Sequence, residues 1–329
     1  MRIGIIGTGG VARRHLGVLC QMEDVEVVGH VSADHARVAA QAVEWGGRAC
    51  TRLVDLLDRD RPDAVWVCVT PDRHGPLEHT LIARGIPFFV EKPLAVDLGT
   101  AETIARALNE SGCLVAAVGY KFRALDTLPR VRELLEERPP RMVLAVWHDS
   151  LPAPVWWRRG ERSGGQVVEQ ATHLLDLARA LVGDAEVLHA LGGRWSRADA
   201  PGSDVPDVSA AFLRFATNEG PVPGMLSATS LLRGHGPIEL QLVCEGRVLR
   251  ISEQRLLVDS GQSIEEFATD ADPFVVEDRA FIDAVLQRDA NRVVCSYRDA
   301  LESHRLACAV RDAMDRASAR GATDLPGRP

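Results

Sequence analysis

The chain has 329 residues, 46% hydrophobic and 26% charged, which is enough for two soluble domains with substantial cores. Its formal net charge of −8 argues against nucleic acid or an anionic membrane as the main partner. No apolar run reaches the length of a membrane span, and the N-terminus opens directly on a strand pattern with no expected leader.

The first strand pattern covers Ile3 to Ile6 and runs into Gly7-Thr8-Gly9-Gly10-Val11-Ala12, after which Val11 to Gln21 reads as a helix. A glycine turn between a strand and a helix is the context of a dinucleotide fingerprint. Gly7 suits the tight turn, Gly9 and Gly10 keep side chains away from a pyrophosphate, and Val11 and Ala12 open the helix that faces it. The second strand, Val25 to Val31, ends at Ser32. A carboxylate there would bind the ribose 2′-hydroxyl of NAD and repel the extra phosphate of NADP. Ser32 removes that repulsion, and His35 or Arg37 can receive a phosphate, so the reading leans to NADP over NAD. The competing reading makes Asp34 a helix cap and Arg37 a solvated surface charge.

Further strand patterns follow at Ala64 to Val69, Pro87 to Val90 and Leu114 to Val118, with helices expected over Asp34 to Trp45, Gly75 to Arg84 and Asp97 to Asn109. Apolar strands alternating with helices imply a doubly wound parallel sheet. Thr70, Pro71 and His74 follow the chain's third strand, Ala64 to Val69, and lie at its carboxyl edge. Glu91-Lys92-Pro93 closes the fourth, which puts Lys92 where open α/β sheets bind ligands.

The pattern changes after a helix over Asp126 to Glu137 and the break at Pro139-Pro140. A strand is expected over Met142 to His148 and a loop over Ser150 to Gly165. A helix should run from about Gln166 to Val182, and consecutive antiparallel strands should fill Val187 to Asp259. The strand Pro237 to Cys244 alternates clearly, and Gly246 sits in an expected hairpin turn. Two helices close the chain, near Val276 to Arg288 and Arg298 to Ala319, and the tail from Gly321 should fray. The fold class is therefore α/β: an N-terminal Rossmann sheet over 1–120, then an α+β domain over 121–329 with a large, mostly antiparallel open sheet. The closing helices are expected to pack back on the first domain. The seven cysteines are scattered without a C-x-x-C pair, which reads as reduced, buried thiols in a cytoplasmic protein. No metal is expected.

The expected helix near residue 170 holds Glu169, Gln170, His173 and Asp176 at spacings that share one α-helical face, among Leu174, Leu175, Leu177, Ala178 and Leu181. Such a polar stripe faces either solvent or a polar cavity. An unperturbed imidazole has a pKa near neutrality, so His173 suits proton exchange, and Asp176 can orient its imidazole or bind a substrate hydroxyl. Lys92 offers a cation to a carbonyl oxygen on which charge develops. Tyr120 and Arg123 follow the fifth strand and either line the pocket or, for Arg123, form an interdomain salt bridge. Trp156, Trp157 and Arg158 either form a lid whose aromatic faces stack on a sugar or simply anchor a loop.

Gly7-x-Gly9-x-x-Ala12, Thr70-Pro71-x-x-His74, Glu91-Lys92-Pro93, Gly119-Tyr120-x-x-Arg123 and Gly164-Gly165-x-x-x-Glu169-x-x-x-His173-x-x-Asp176 occur in that order along nearly the whole chain. Together they resemble the Gfo/Idh/MocA oxidoreductases. The resemblance implies bound NAD or NADP and hydride transfer at a carbon of a sugar, sugar derivative or cyclitol. It also implies a cis peptide before Pro93 and a homodimer or homotetramer formed through the outer face of the C-terminal sheet. Glu169 departs from the family's usual aspartate. Two rival readings stand beside this one: an NAD-dependent glycoside hydrolase working by transient oxidation, and a cofactor-binding sensor without turnover.

Overall fold

The computed structural model describes residues 1–112 and 114–324; Cys113 and the tail from 325 lie outside the described residues. The chain divides into two compact units, residues 1–124 with 271–301, and residues 125–270 with 302–329.

The first unit opens with β1 (Arg2–Ile6), α1 (Gly10–Leu19), β2 (Glu26–Val31), α2 (His35–Trp45), β3 (Arg48–Cys50) and α3 (Leu53–Arg59). It continues with β4 (Ala64–Val67), α4 (Pro76–Ala83), β5 (Phe88–Val90), α5 (Leu98–Glu110) and β6 (Ala116–Val118). The six strands pair in the order β3-β2-β1-β4-β5-β6, all parallel. This is the doubly wound dinucleotide-binding order, with its topological switch between β1 and β4. The strands read as continuous apolar runs because both faces are covered. Ile6, Val65, Val67, Phe88 and Val90 enter one core cluster, while Ile3, Ile5, Trp66 and Phe89 enter the other. Strand β3 and helix α3 were not expected. Arg48-Ala49-Cys50 is too short and polar to register as an apolar run, and its inclusion makes the strand before Lys92 the fifth rather than the fourth.

The second unit holds α6 (Leu128–Glu137), β7 (Pro140–Ser150), α7 (Gly160–Ser163), α8 (Thr172–Val182), β8 (Ala185–Gly193), β9 (Val208–Phe215) and β10 (Val222–Leu232). It goes on through β11 (Ile238–Cys244), β12 (Arg247–Ile251), β13 (Arg255–Asp259) and β14 (Ile264–Ala268). The eight strands order as β14-β13-β12-β11-β7-β10-β9-β8. Every pairing is antiparallel except β10 with β7. Gly246 makes the β11–β12 hairpin turn at φ +72°. On β9 and β10 buried and exposed residues alternate, so one face packs inward and the other carries exposed Leu188, Leu191, Phe212 and Met225.

Helix α9 (Pro273–Gln287) belongs to the first unit, where Phe281 meets Trp66 edge-on at 5.0 Å and Phe89 at 5.8 Å. Each such aromatic pair adds about 0.5–1.5 kcal/mol beyond area burial. Helix α10 (Tyr297–Asp324) begins in the first unit and continues in the second, through the first residues of the tail expected to fray. Cys50, Cys68, Cys244, Cys295 and Cys308 are buried free thiols, whereas Cys20 is exposed, a departure from the expected burial. Among the described residues no helix is long and apolar enough to cross a membrane.

Candidate active site

At the carboxyl edge of the first sheet, Gly7 turns the chain at φ +115°, and a Cβ there would lie 2.0 Å from the Cys68 carbonyl oxygen. Only glycine meets both demands. Gly9 and Gly10 have nothing within 4 Å of where a Cβ would stand. Gly9 is the N-cap of α1, which has no side-chain cap and no acidic residue in its first turn. Val11 is exposed and Ala12 is fully buried. The open backbone N–H groups and the bare glycine surface fit a pyrophosphate. Gln41, which sequence reasoning passed over, braces the turn by donating to the Gly7 carbonyl at 3.1 Å.

Asp34 caps α2 by accepting from the Arg37 N–H at 3.1 Å, as the competing reading held. The exposed Arg37 guanidinium donates to the Thr8 carbonyl at 3.0 Å, beside the glycine turn. Ser32 Oγ accepts from the Asp34 N–H at 3.3 Å.

After β4, Thr70 bonds Asp72, the buried Pro71 starts a single turn, and His74 is buried with Nδ1 2.7 Å from Glu78. Burial alone would raise the Glu78 carboxyl; the His74 charge and the bonds from His74 and Gly75 N–H (2.6 Å) outweigh it and lower the pKa. His74 is thus tied down before α4 rather than starting it.

Glu91 and Lys92 follow β5 on the same sheet edge, and the Lys92–Pro93 peptide is cis, as the resemblance implied. The Glu91 side chain is buried against His15 of α1, Nε2 to Oε1 3.0 Å. On its other nitrogen, His15 Nδ1 meets Asp278 of α9 at 2.8 Å, and Asp278 also accepts from Trp66 Nε1 at 2.9 Å. Burial would lower the His15 pKa. The Asp278 charge and hydrogen bond, then those of Glu91, reverse this and raise it well above 6.5. Beside them Glu277 is buried with neither carboxylate oxygen hydrogen-bonded. Burial first, then the neighbouring Glu91, pushes its pKa well above 4.5. Tyr120 and Arg123 do not line an open wall. Tyr120 is fully buried in the core, and Arg123 pairs with Asp299 inside the same unit, not across domains. The partner of Arg123 was not legible locally, because Asp299 lies 176 residues away.

In the second unit, Gly164 and Gly165 (φ +74° and +81°) lead into a π-helical turn over Val167–Ala171, after which α8 begins. This corrects the expectation of one continuous α-helical face. The wider turn breaks the four-residue spacing between Glu169 and His173. π-turns inside helices recur at functional sites. Glu169 accepts from Trp157 Nε1 at 2.8 Å, and Gln170 accepts from Gln166 Nε2 at 3.2 Å. Gln166 also donates to the Thr229 carbonyl on β10 at 2.8 Å. Trp157 is buried and bonded, while Trp156 and Arg158 flank it, half-buried. His173 and Asp176 sit three residues apart on α8, and both are buried, which excludes a solvated stripe. His173 stacks on Trp147 of β7, centroids 5.9 Å apart and planes at 13°. Asp176 accepts from Ser303 Oγ at 2.6 Å, and Ser303 in turn receives Arg179 Nη1 at 2.7 Å.

Residues 1–120 match a family described as an oxidoreductase family with an NAD-binding Rossmann fold, and residues 131–250 match the GFO/IDH/MocA C-terminal domain. The chain belongs to this family. It is an NAD(P)-dependent oxidoreductase. A 1,5-anhydro-D-fructose reductase from Ensifer adhaerens is 30% identical over 56% of this chain and 57% of that one. An inositol 2-dehydrogenase from Cereibacter sphaeroides is 31% identical over 57% of this chain and 55% of its own. A solved 3-ketoreductase from Actinomadura kijaniata, in complex with NADP and TDP-benzene, shares the fold with a TM-score of 0.82 at 23% identity, covering 95% of this chain and 97% of that one.

Proposed function

We propose that this enzyme moves a hydride between NADP or NAD and a CH–OH or ketone carbon of a sugar, sugar derivative or cyclitol. The observation that carries the reading is the shared sheet edge: the bare glycine turn after β1, Thr70 after β4 and Lys92 after β5 all stand at the carboxyl ends of neighbouring strands. The relatives named for an anhydrosugar and for inositol support a polyhydroxylated substrate. When bound, the nicotinamide ring accepts or supplies the hydride. Lys92 donates to the substrate oxygen, where charge develops. His173 holds the proton exchanged with that oxygen, and Trp147 fixes the plane of its ring. Asp176, set by Ser303, supports α8 at this position, while Glu169 and Gln170 contribute polar contacts for substrate hydroxyls. Residues 1–120 carry the cofactor and 121–329 the substrate and assembly surfaces. Ser32 and the Arg37 guanidinium held at Thr8 favour the extra phosphate of NADP. The exposed apolar strip of Phe212 and Met225, which face each other across β9 and β10, suits a second copy of the chain.

A panel of sugars and cyclitols, each assayed with NADP and NAD while nicotinamide absorbance is followed, tests the reading. A net absorbance change with at least one polyol is expected. Release of the aglycone from a glycoside with no net absorbance change would favour transient-oxidation hydrolysis instead, and no turnover with any of them would remove the proposal.

A further inference from the structure

His15 lies five residues into α1, away from the glycine turn, yet both of its ring nitrogens meet carboxylates. It is fully buried, with Glu91 at 3.0 Å on Nε2 and both Asp278 oxygens at 2.8 and 3.0 Å on Nδ1. Phe89 and Phe274 close on its ring, each edge-on at 5.1 Å. A neutral imidazole donates from one nitrogen only; two carboxylates on two nitrogens call for the doubly protonated ring. Glu91 also packs closely on the bare backbone of Gly119, where a Cβ would stand 2.5 Å from Glu91 Oε1.

We propose that His15 is a positioning residue for Lys92: its charged ring clamps the Glu91 side chain, and the clamped residue fixes the peptide from which Lys92 extends. The inference rests on the role given to Lys92 above. Phe89 and Glu91, two residues apart, both meet His15, so they share one face of the chain as it leaves β5. The Glu91 N–H is bonded to the Val67 carbonyl at 3.0 Å, so both its backbone and its side chain are tied. Helix α1 carries the glycine turn at one end and His15 within it. One rigid element therefore sets both the cofactor turn and the base of the lysine.

The chain offers a direct probe, because only two of its 38 basic residues, Lys92 and Lys121, are lysines. Reductive ¹³C-methylation of the full chain yields two lysine signals, assigned with Lys92→Arg. The variants are His15→Gln, which donates to one carboxylate but not both, and Asp278→Asn, which keeps the shape but weakens the ion pair. Melting temperature and near-ultraviolet circular dichroism establish folding for each. The Lys92 signal is expected to move in both variants and to lose most of the shift that NADP⁺ induces in the wild type, at nearly unchanged NADP⁺ affinity. With the best polyol, kcat should fall about 10- to 100-fold at constant KM. A Lys92 signal and an NADP⁺-induced shift identical to wild type in a folded variant overturn the clamp. If Lys92→Ala turns over normally, the functional reading fails instead. The lysine signal still decides the clamp on its own.

Discussion

The indole of Trp147 and the imidazole of His173 lie almost parallel, 5.9 Å between centroids and 13° between planes, one on a strand and the other in the first turn of α8. Stacking restricts rotation of the imidazole and so fixes where its nitrogens point. Trp147→Phe, which keeps a flat ring, should retain most turnover. Trp147→Leu should lower kcat about tenfold or more, since a small misplacement of a reacting group is costly. Comparison of kcat in the two folded variants checks this; equal rates would assign Trp147 to packing alone.

Cofactor choice follows from the end of β2. Ser32→Asp introduces a negative charge where the 2′-phosphate of NADP is expected, and should shift the NAD-to-NADP affinity ratio toward NAD by about 10- to 100-fold. Arg37→Ala should weaken NADP and leave NAD nearly unchanged. Fluorescence titrations with both reduced cofactors measure the ratios. A ratio that Ser32→Asp leaves unmoved would count against a phosphate site here.

The buried charge cluster predicts a pH dependence of stability. His15 has a folded pKa raised above 6.5 and Glu277 one raised above 4.5. Above these ordinary values the native state holds protons that the unfolded chain has released, so stability falls as pH rises. The contribution of His15 is complete below 6.5 and is lost as pH climbs through its folded pKa. Glu78 acts oppositely, its lowered pKa giving stability that is lost as pH falls below 4.5. Melting temperature should therefore decline from pH 6.5 to 8.5, and less steeply in His15→Gln. A rising melting temperature across that range would contradict the charge assignment.

Phe212 is 51% exposed and Met225 45%, side by side on the outer face of the large sheet. If that face joins two copies, Phe212→Asp should convert a dimer or tetramer to a smaller species without loss of melting temperature. Size-exclusion chromatography with light scattering reads the mass directly. A wild-type monomer, or an unchanged oligomer in the variant, excludes this face as the interface.

Much of the fold could be read along the chain because parallel strands buried on both faces appear as uninterrupted apolar runs, as Ala64–Val67 and Phe88–Val90 do. The glycine turn and Lys92 were legible for the same reason: each follows directly on such a run. The three-residue β3 carried no such pattern. The π-turn at Val167–Ala171 escaped because α and π turns share the same local composition. The partners of Arg123, His15 and His173 were hidden by distance along the chain, since Asp299, Asp278 and Trp147 come from other elements. Trp147 carried a usable signal, an inward-facing position on a strand, but nothing local tied it to a histidine on the later helix.

In the proposed reaction Lys92 acts on the substrate oxygen. The most direct test is the turnover of Lys92→Ala with the best polyol from the panel, measured beside the affinity for NADP. Turnover should fall at least about 100- to 1000-fold with cofactor affinity nearly intact. Wild-type turnover in a folded Lys92→Ala protein would contradict it.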